Sequence, residues 1–155
     1  MTDPIILVTL TEEMLPQVLE LERLCFSLPW GRDAFLPELT DPACFWLAAL
    51  RDGRVAGYAG MRTVLDEGYI SNIAVSPDHR KQGLGMALVE ALQREGRRRE
   101  LSFLTLEVRV GNAEARRLYA RAGFREAGLR PGYYEKPRED ALLMTYDYPE
   151  GDNAE

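Results

Sequence analysis

The sequence predicts an α/β (α+β) fold in which a mixed central sheet of about seven strands carries helices on both faces. Apolar stretches with strand periodicity and with helix periodicity alternate along the chain, which is typical of such a fold. In the middle, residues 69–75, 83–98 and 103–110 form a strand–helix–strand unit, which is expected to be a right-handed parallel crossover. The hairpins predicted around this unit are antiparallel, so the sheet contains both kinds of strand pair.

Local signals place each element along the chain. The first half is predicted to contain strands over 5–8, 45–50 and 55–64, a helix over 11–25 and a short helix that ends at Leu39. The second half is predicted to contain strands over 69–75, 103–110, 124–129 and 141–147, helices over 83–98 and 112–122, and a loop over 128–137. We expect residues 1–148 to form one domain and the polar tail, 149–155, to be disordered.

The composition argues against several classes of protein. A chain of 155 residues, 46% of them hydrophobic, has the size and composition of one soluble domain. No apolar run reaches the ~20 residues that span a bilayer, and the N-terminus lacks a signal-peptide pattern, so we expect a cytoplasmic protein without membrane contacts. The net charge of −6 disfavours nucleic-acid binding. Two cysteines and one histidine, without ligand spacing, argue against a metal site.

The most informative stretch is 72–88, where a short apolar strand leads through a basic, glycine-containing loop into a helix. Gly83 and Gly85 leave backbone N–H groups accessible where the helix begins, and the positive end of the helix dipole lies there too. Arg80 and Lys81 add positive charge. Together these features suit an anion with several oxygens, such as a pyrophosphate. The alternative is a basic helix start that binds no ligand.

The spacing Arg80-x-x-Gly83-x-Gly85 distinguishes between known phosphate loops. It lacks the Gly-Lys-Ser/Thr end of the nucleoside-triphosphate loop and the third glycine of the dinucleotide fingerprint. It resembles the coenzyme A loop of the GNAT acetyltransferases, which follows a strand, precedes a helix and wraps the pyrophosphate with backbone amides. The order of the predicted elements also resembles the GNAT fold, in which the two middle parallel strands splay apart.

The second half of the chain carries a closer resemblance, to the bacterial ribosomal-protein-alanine N-acetyltransferases, the RimI-type branch of that family. The segments with this resemblance are 104–112, 115–119, 123–124, 132–134 and 138–144, together with 26–30 in the first half. Each segment is modest alone, but their order and spacing together are specific to the branch.

The resemblance implies acetyl coenzyme A as co-substrate. In this family, backbone N–H groups of the strand before the glycine loop bind the acetyl oxygen, and the loop binds the pyrophosphate. To admit the pantetheine arm, the parallel strands would have to part near Val75 and Glu107. The coenzyme-binding residues implied in this chain are Ile73, Ala74, Val75, Arg80, Lys81, Gln82, Gly83, Leu84, Gly85, Met86, Asn112 and Tyr119.

Acetyl transfer to an amine needs a base, because an α-amine with a pKa of about 8 is largely protonated at neutral pH. Glu107 lies on an alternating strand and points away from Leu106 and Val108. The residues alone also allow Glu107 to be a surface glutamate or one paired with Arg109, and they allow Tyr119 to be a core tyrosine. The resemblance implies that Glu107 is the general base and that Tyr119 is the general acid for the leaving thiolate.

The acceptor side rests on aromatic residues in predicted loops. Tyr133, Tyr134 and Glu135 lie in the loop over 128–137, and Trp30 lies between the first two helices. By resemblance these residues flank a peptide groove, with Glu135 attracting a positively charged N-terminus. The two tyrosines suit equally well a packing role that anchors the last strand.

These observations predict an enzyme that transfers acetyl directly to the N-terminal amine of a protein, with the N-terminal alanine of a ribosomal protein as the expected acceptor. One alternative keeps the chemistry but acetylates a small-molecule amine or a lysine side chain. Another is a coenzyme A-binding sensor without turnover. The sequence leaves the oligomeric state open, with a monomer slightly favoured.

Overall fold

The computed structural model describes residues 4–149, which contain seven strands and four α-helices. The strands are β1 (Ile6–Thr9), β2 (Cys44–Arg51), β3 (Arg54–Val64), β4 (Glu67–Val75), β5 (Phe103–Arg109), β6 (Arg125–Tyr134) and β7 (Glu139–Asp147). The helices are α1 (Leu15–Cys25), α2 (Arg32–Leu39), α3 (Leu84–Arg98) and α4 (Ala113–Arg121). Short 3₁₀ turns, Glu12–Met14 and Pro77–His79, precede α1 and follow β4.

All seven strands belong to one sheet in the order β1-β2-β3-β4-β5-β7-β6. Within residues 4–149, β4 and β5 form the sole parallel pair, and α3 is the crossover between them. The other pairs are antiparallel. The predicted fold class, a mixed sheet of seven strands, is confirmed. No helix in the described part of the chain is long and apolar enough to cross a membrane.

The sheet separates two apolar cores, because alternate side chains of each strand point to opposite faces. On one face, Leu88 of α3 and Tyr119 of α4 belong to a core that includes Leu104 and Leu106 of β5. On the other face, α1 and α2 cover a core that includes Phe35, Trp46 and Tyr58. Helices therefore lie on both faces, as predicted.

The middle of the sheet is open at one end. β4 and β5 are paired only from Glu67↔Phe103 to Tyr69↔Thr105, after which they part. The predicted splay is confirmed, although the strands separate well before Val75. Each strand keeps its antiparallel neighbour on the outer side, so the sheet stays continuous around the gap.

The predicted loop over 128–137 begins too early, because β6 continues to Tyr134 and pairs with β7 as far as Tyr134↔Glu139. Only residues 135–137 of that range lie in the turn. The ladder is interrupted between Arg130 and Tyr134. The interruption lies at Pro131, which has no N–H to donate, and Gly132, which has a positive φ of 64°. Proline and glycine are also the residues that led to the prediction of a loop. Apart from Pro149, the predicted tail lies outside the described residues.

Candidate active site

The gap between β4 and β5 opens into a cavity of about 630 Å³. Its lining comes from α1 and the segment after it, from β4, β5 and α4, and from the end of β6. Eight residues that were predicted to be functional line this cavity: Trp30, Ile73, Glu107, Asn112, Tyr119, Tyr133, Tyr134 and Glu135. We refer to it below as the acceptor cavity.

Glu107 projects from the middle of β5 toward the face that α1 and α2 cover. Its neighbours Leu106 and Val108 are buried on the opposite face, as the alternation predicted. The Glu107 side chain is 29% exposed, and its Oε1 lies 3.5 Å from Nε of Arg130 on β6. The suggested pairing with Arg109 is wrong, since Arg109 pairs with Glu139 instead. Glu107 is therefore accessible from the cavity with one exposed arginine beside it.

Tyr119 reaches the cavity from the other face of the sheet. Asn112 caps α4 by accepting a hydrogen bond from the Ala115 N–H at 3.1 Å, which fixes where the helix starts. The ring of Tyr119 packs against Phe124 and is only 8% exposed. Burial raises the pKa of Tyr119 above its ordinary value, so the phenol keeps its proton. No residue within 4–149 hydrogen-bonds this hydroxyl, which leaves it available to a ligand.

Glu107 and Tyr119 thus belong to opposite faces of the sheet, and the gap between the strands brings both to one cavity. An ordinary paired sheet would separate the two side chains by a layer of backbone. The parting of β4 from β5 is therefore the feature that gives one small molecule access to both groups.

Backbone N–H groups of β4 also face the gap. Ser76 donates its N–H to Ala56 of β3 at 2.8 Å. Because hydrogen-bonding direction alternates along an antiparallel strand, Ala74 also turns toward β3, whereas Ile73 and Val75 direct their N–H groups toward the gap. These two groups are placed to donate to a carbonyl oxygen between the strands.

The glycine loop, residues 80–86, continues from this edge. Gly83 has a φ of 83°, a left-handed conformation, and it is the residue immediately before α3. The first N–H groups of α3 have no acceptor inside the helix and point out of its start. A side chain on Gly85 would come within 3.1 Å of Leu118, so this glycine lets α3 approach α4 closely. These features fit a polyphosphate ligand.

Arg80 connects the loop to the cavity. Its Nε donates to the Val75 carbonyl at 3.3 Å, and one Nη lies 3.7 Å from the Cys25 sulfur, which lines the cavity. Arg80 and Lys81 are exposed, and Gln82 accepts a hydrogen bond from Arg51 at 2.5 Å. The loop and the cavity are therefore neighbours along one path, although residues 80–86 do not line the cavity itself.

The α1–α2 side of the cavity is held by a buried carboxylate that the sequence analysis did not identify. Glu22 of α1 is 0% exposed and accepts hydrogen bonds from the Trp30 N–H at 2.7 Å and from Asn72 at 2.9 Å. The Tyr58 hydroxyl is its third donor. Burial raises the pKa of Glu22, and the three hydrogen bonds oppose that effect. The helical spacing Val18, Glu22, Cys25 could have revealed it, since it places Glu22 on the apolar face of α1.

The hairpin side of the cavity is held by Arg109 of β5. Its guanidinium donates to the carbonyls of Pro137 at 2.9 Å and Glu135 at 3.0 Å, and lies 4.4 Å from the centre of the Tyr134 ring. Tyr133 and Tyr134 pack edge to face at 5.0 Å. Burial, with help from the negative charge of Glu107, raises the pKa of Tyr134 to about 12. The two tyrosines therefore both line the cavity and pack within the hairpin.

Comparison with known proteins agrees with this geometry. A family model described as the acetyltransferase (GNAT) family matches residues 15–124. The chain belongs to the GNAT family. This GNAT chain is 39% identical over 133 residues to the [ribosomal protein bS18]-alanine N-acetyltransferase of Escherichia coli K12, covering 84% of this chain and 89% of the relative. It is 38% identical over 133 residues to a putative enzyme of the same name from Bacillus subtilis, covering 85% and 88%.

The solved structures give the same result. The crystal structure of the ribosomal-protein-S18-alanine N-acetyltransferase from Escherichia coli aligns with a TM-score of 0.87 at 35% identity, covering 96% of this chain and 98% of that chain. Arabidopsis thaliana NAA60 in complex with acetyl-CoA shares the fold, with a TM-score of 0.85 at 20% identity, covering 94% and 100%. The predicted family, fold and enzyme class, an acyltransferase, are confirmed.

The roles of individual residues stay predictions. The described residues contain no group of three or more His, Cys, Asp or Glu side chains that could hold a metal ion.

Proposed function

We propose that this GNAT enzyme transfers the acetyl group of acetyl coenzyme A to the N-terminal amine of a protein that begins with alanine, in the cell a ribosomal protein. The proposal draws on the relatives from Escherichia coli and Bacillus subtilis, which are named for this reaction on ribosomal protein bS18. The observation that carries the chemistry is the single cavity that Glu107 and Tyr119 reach from opposite faces of the sheet.

The coenzyme supplies an acetyl thioester, and residues along the gap and the loop would hold it. Backbone N–H groups of residues 81–86 and the Arg80 guanidinium bind the pyrophosphate at the start of α3. Asn112 lies beside the gap, where its side chain contacts the pantetheine arm. The N–H groups of Ile73 and Val75 donate to the acetyl oxygen, on which negative charge develops during the reaction.

The proton transfers follow from where the two side chains lie. Glu107 takes a proton from the acceptor ammonium, and the neutral nitrogen attacks the thioester carbon, so that a C–N bond forms and the C–S bond breaks. Tyr119 gives its proton to the departing sulfur, which suits a buried phenol whose pKa is raised. The second proton of the amine leaves through Glu107 or water, and Tyr119 is reprotonated.

The acceptor would enter between the two sides of the cavity. Trp30 contributes an aromatic surface on the α1–α2 side, and Tyr133 and Tyr134 contribute one on the hairpin side. Glu135 adds a negative charge that attracts an ammonium group. The end of β6 and the segment after α1 both line the cavity, so an extended polypeptide end could enter between them.

The test is an acetylation assay with the purified protein and acetyl coenzyme A. The acceptors are a peptide that begins with alanine, the same peptide with a blocked N-terminus and an internal lysine, and a polyamine. We expect thiol release and a mass increase of one acetyl group, about 42 Da, with the free N-terminus alone. Acetylation of the blocked peptide or of the polyamine at an equal or greater rate would overturn the proposal.

A second test identifies the acceptor in cells. Mass spectrometry of intact ribosomal proteins, from cells with and without this chain, should show acetylation lost from one protein that begins with alanine. An unchanged set of N-termini would contradict a ribosomal acceptor. The peptide assay would still test whether the protein acetylates N-terminal amines.

A further inference from the structure

Glu22 is a buried ionisable group that the reaction described above does not use. It lies at the edge of the acceptor cavity, and its Oε1 accepts the Trp30 N–H at 2.7 Å. Its Oε2 accepts from the Tyr58 hydroxyl and from Nδ2 of Asn72, the latter at 2.9 Å. No lysine or arginine within residues 4–149 forms an ion pair with it. Its stabilising contacts are hydrogen bonds in which the carboxylate accepts, so each partner must turn a donor toward it.

That requirement orients the side chain of Asn72. An ionised carboxylate only accepts hydrogen bonds, so Asn72 must turn its NH₂ group toward Glu22. The amide oxygen, Oδ1, therefore points away from Glu22, and no described residue donates to it. Asn72 lines the acceptor cavity with its neighbours Ser71 and Ile73. The result is a fixed, unused hydrogen-bond acceptor on β4.

Asn72 and Glu107 lie on the same face of the sheet, on either side of the gap. Asn72 contacts Glu22 of α1, which places its side chain on the α1–α2 face. Glu107 points to the same face, opposite to Leu106 and Val108. An amine that enters from this face and approaches the gap therefore has Glu107 on the β5 side and Asn72 on the β4 side.

We propose that Oδ1 of Asn72 accepts a hydrogen bond from the amine of the acceptor, and that Glu22 is the positioning residue that aims it. This inference rests on the proposed function, because it concerns the same reaction. An amine carries more N–H groups than one base can accept, and an unpaired N–H in a closed cavity is costly. An amide oxygen accepts such a bond without taking the proton, so it orients the nitrogen and leaves proton removal to Glu107.

The test measures the KM of an alanine-starting peptide at saturating acetyl coenzyme A. We expect Asn72→Ala to raise this KM about tenfold and Glu22→Gln to raise it by a similar factor, since the loss of one hydrogen bond to an ionic partner is of this size. The double variant should be no worse than Asn72→Ala alone, because Glu22 acts through Asn72. The dissociation constant of acetyl coenzyme A should stay within twofold, which shows that each variant is folded.

Tyr58→Phe is the matched control. It removes another donor from the same carboxylate, but Tyr58 lies in the core beneath α1 and does not line the cavity. We expect it to lower the melting temperature and to leave the peptide KM within twofold of the wild type. A merely structural role for Glu22 predicts the reverse, namely that Tyr58→Phe and Glu22→Gln change the KM equally.

The inference is overturned if Asn72→Ala leaves the peptide KM within twofold, or if the effects of Glu22→Gln and Asn72→Ala multiply in the double variant. Its failure is distinct from failure of the proposed function. If the wild-type protein acetylates no peptide N-terminus, the proposed function itself is contradicted. If the wild type is active and Asn72→Ala is unaffected, only the role of Asn72 is contradicted.

Discussion

The glycine loop and the acceptor cavity adjoin each other, yet they are built in different ways. The loop consists of consecutive residues, 80–86, and its chemistry lies in backbone N–H groups, one left-handed glycine and the start of a helix. The cavity is lined by side chains from α1, β4, β5, α4 and β6, and Glu22 and Arg109 orient some of its lining residues. Changes in the loop should therefore alter coenzyme affinity alone, and changes in the cavity should alter turnover or acceptor KM.

The largest expected effect belongs to the reacting groups of the cavity. Glu107→Gln removes the proposed base and Tyr119→Phe removes the proposed acid, so each should lower kcat by about 10²–10⁴-fold. For Glu107→Gln, the dissociation constant of acetyl coenzyme A, measured by calorimetry, should remain within about twofold because the loop is untouched. Glu135→Gln, a change of another cavity carboxylate, is the control and should lower kcat by less than about tenfold. A Glu107→Gln variant with wild-type kcat would remove Glu107 from the mechanism.

The next effect tests the loop. Gly83 has a φ of 83°, and a left-handed conformation costs an ordinary residue about 1–2 kcal/mol. Gly83→Ala should therefore weaken acetyl coenzyme A binding by about 5- to 30-fold and leave the peptide KM unchanged at saturating coenzyme. A Cβ at this position meets no atom within 4 Å, so steric overlap does not confuse the result.

Gly53 in the β2–β3 turn provides the matched control for this change. Its φ is 74° and a Cβ there also meets nothing within 4 Å. Gly53→Ala should lower stability by a similar amount without changing coenzyme affinity. If the two variants shift the dissociation constant equally, the conformation of Gly83 has no special role in the loop.

The same difference explains which parts the sequence could predict. Residues only a few positions apart lie near one another in any fold, so the spacing of Arg80, Gly83 and Gly85 indicates a phosphate loop directly. Glu107 and Tyr119 needed a family resemblance, because nothing local in the chain shows that β4 and β5 part between them. Glu22 and Asn72, fifty residues apart, could be linked only once α1 was packed on the sheet.

In the β6–β7 hairpin, local sequence signals gave a wrong prediction. Pro131 and Gly132 are typical loop residues, yet the strand continues past them because Tyr134 pairs with Glu139. The pairing of β6 with β7 overrides the local preference for a loop, and it places Tyr133 and Tyr134 on a strand instead of a loop.

A smaller effect is expected from the support of that hairpin. Arg109→Gln removes the two hydrogen bonds to the Pro137 and Glu135 carbonyls and the contact with Tyr134. We expect the peptide KM to rise about three- to tenfold and the free energy of unfolding to fall by about 1–2 kcal/mol. Steady-state kinetics and urea denaturation measure these two quantities.

Arg125→Gln serves as the control within the same hairpin. Its ion pair with Asp147 is exposed, at 59% and 54% of the two side chains, and lies outside the cavity. Its loss should leave both the free energy of unfolding and the peptide KM almost unchanged, because exposed ion pairs contribute little. If Arg125→Gln shifts the peptide KM as much as Arg109→Gln does, any loss of a hairpin contact affects acceptor binding. The contacts of Arg109 would then have no specific role.

The smallest effect is expected in the pH dependence of stability, for two carboxylates. Glu22 lies at the cavity, and Glu95 lies near the end of α3, the helix that starts at the loop. The hydrogen bond from Arg98 lowers the pKa of Glu95 below 4.5, so its stabilisation is present above that pH and is lost as the pH falls through the folded value. Burial raises the pKa of Glu22, so its contribution is most favourable below pH 4.5 and is lost as the pH rises through the folded value. As the pH falls, the wild type should become less stable relative to Glu95→Gln. Over the same range, the wild type should become more stable relative to Glu22→Gln. Urea denaturation between about pH 3.5 and 7 measures both slopes, and slopes of the same sign would mean that hydrogen bonds outweigh burial at Glu22.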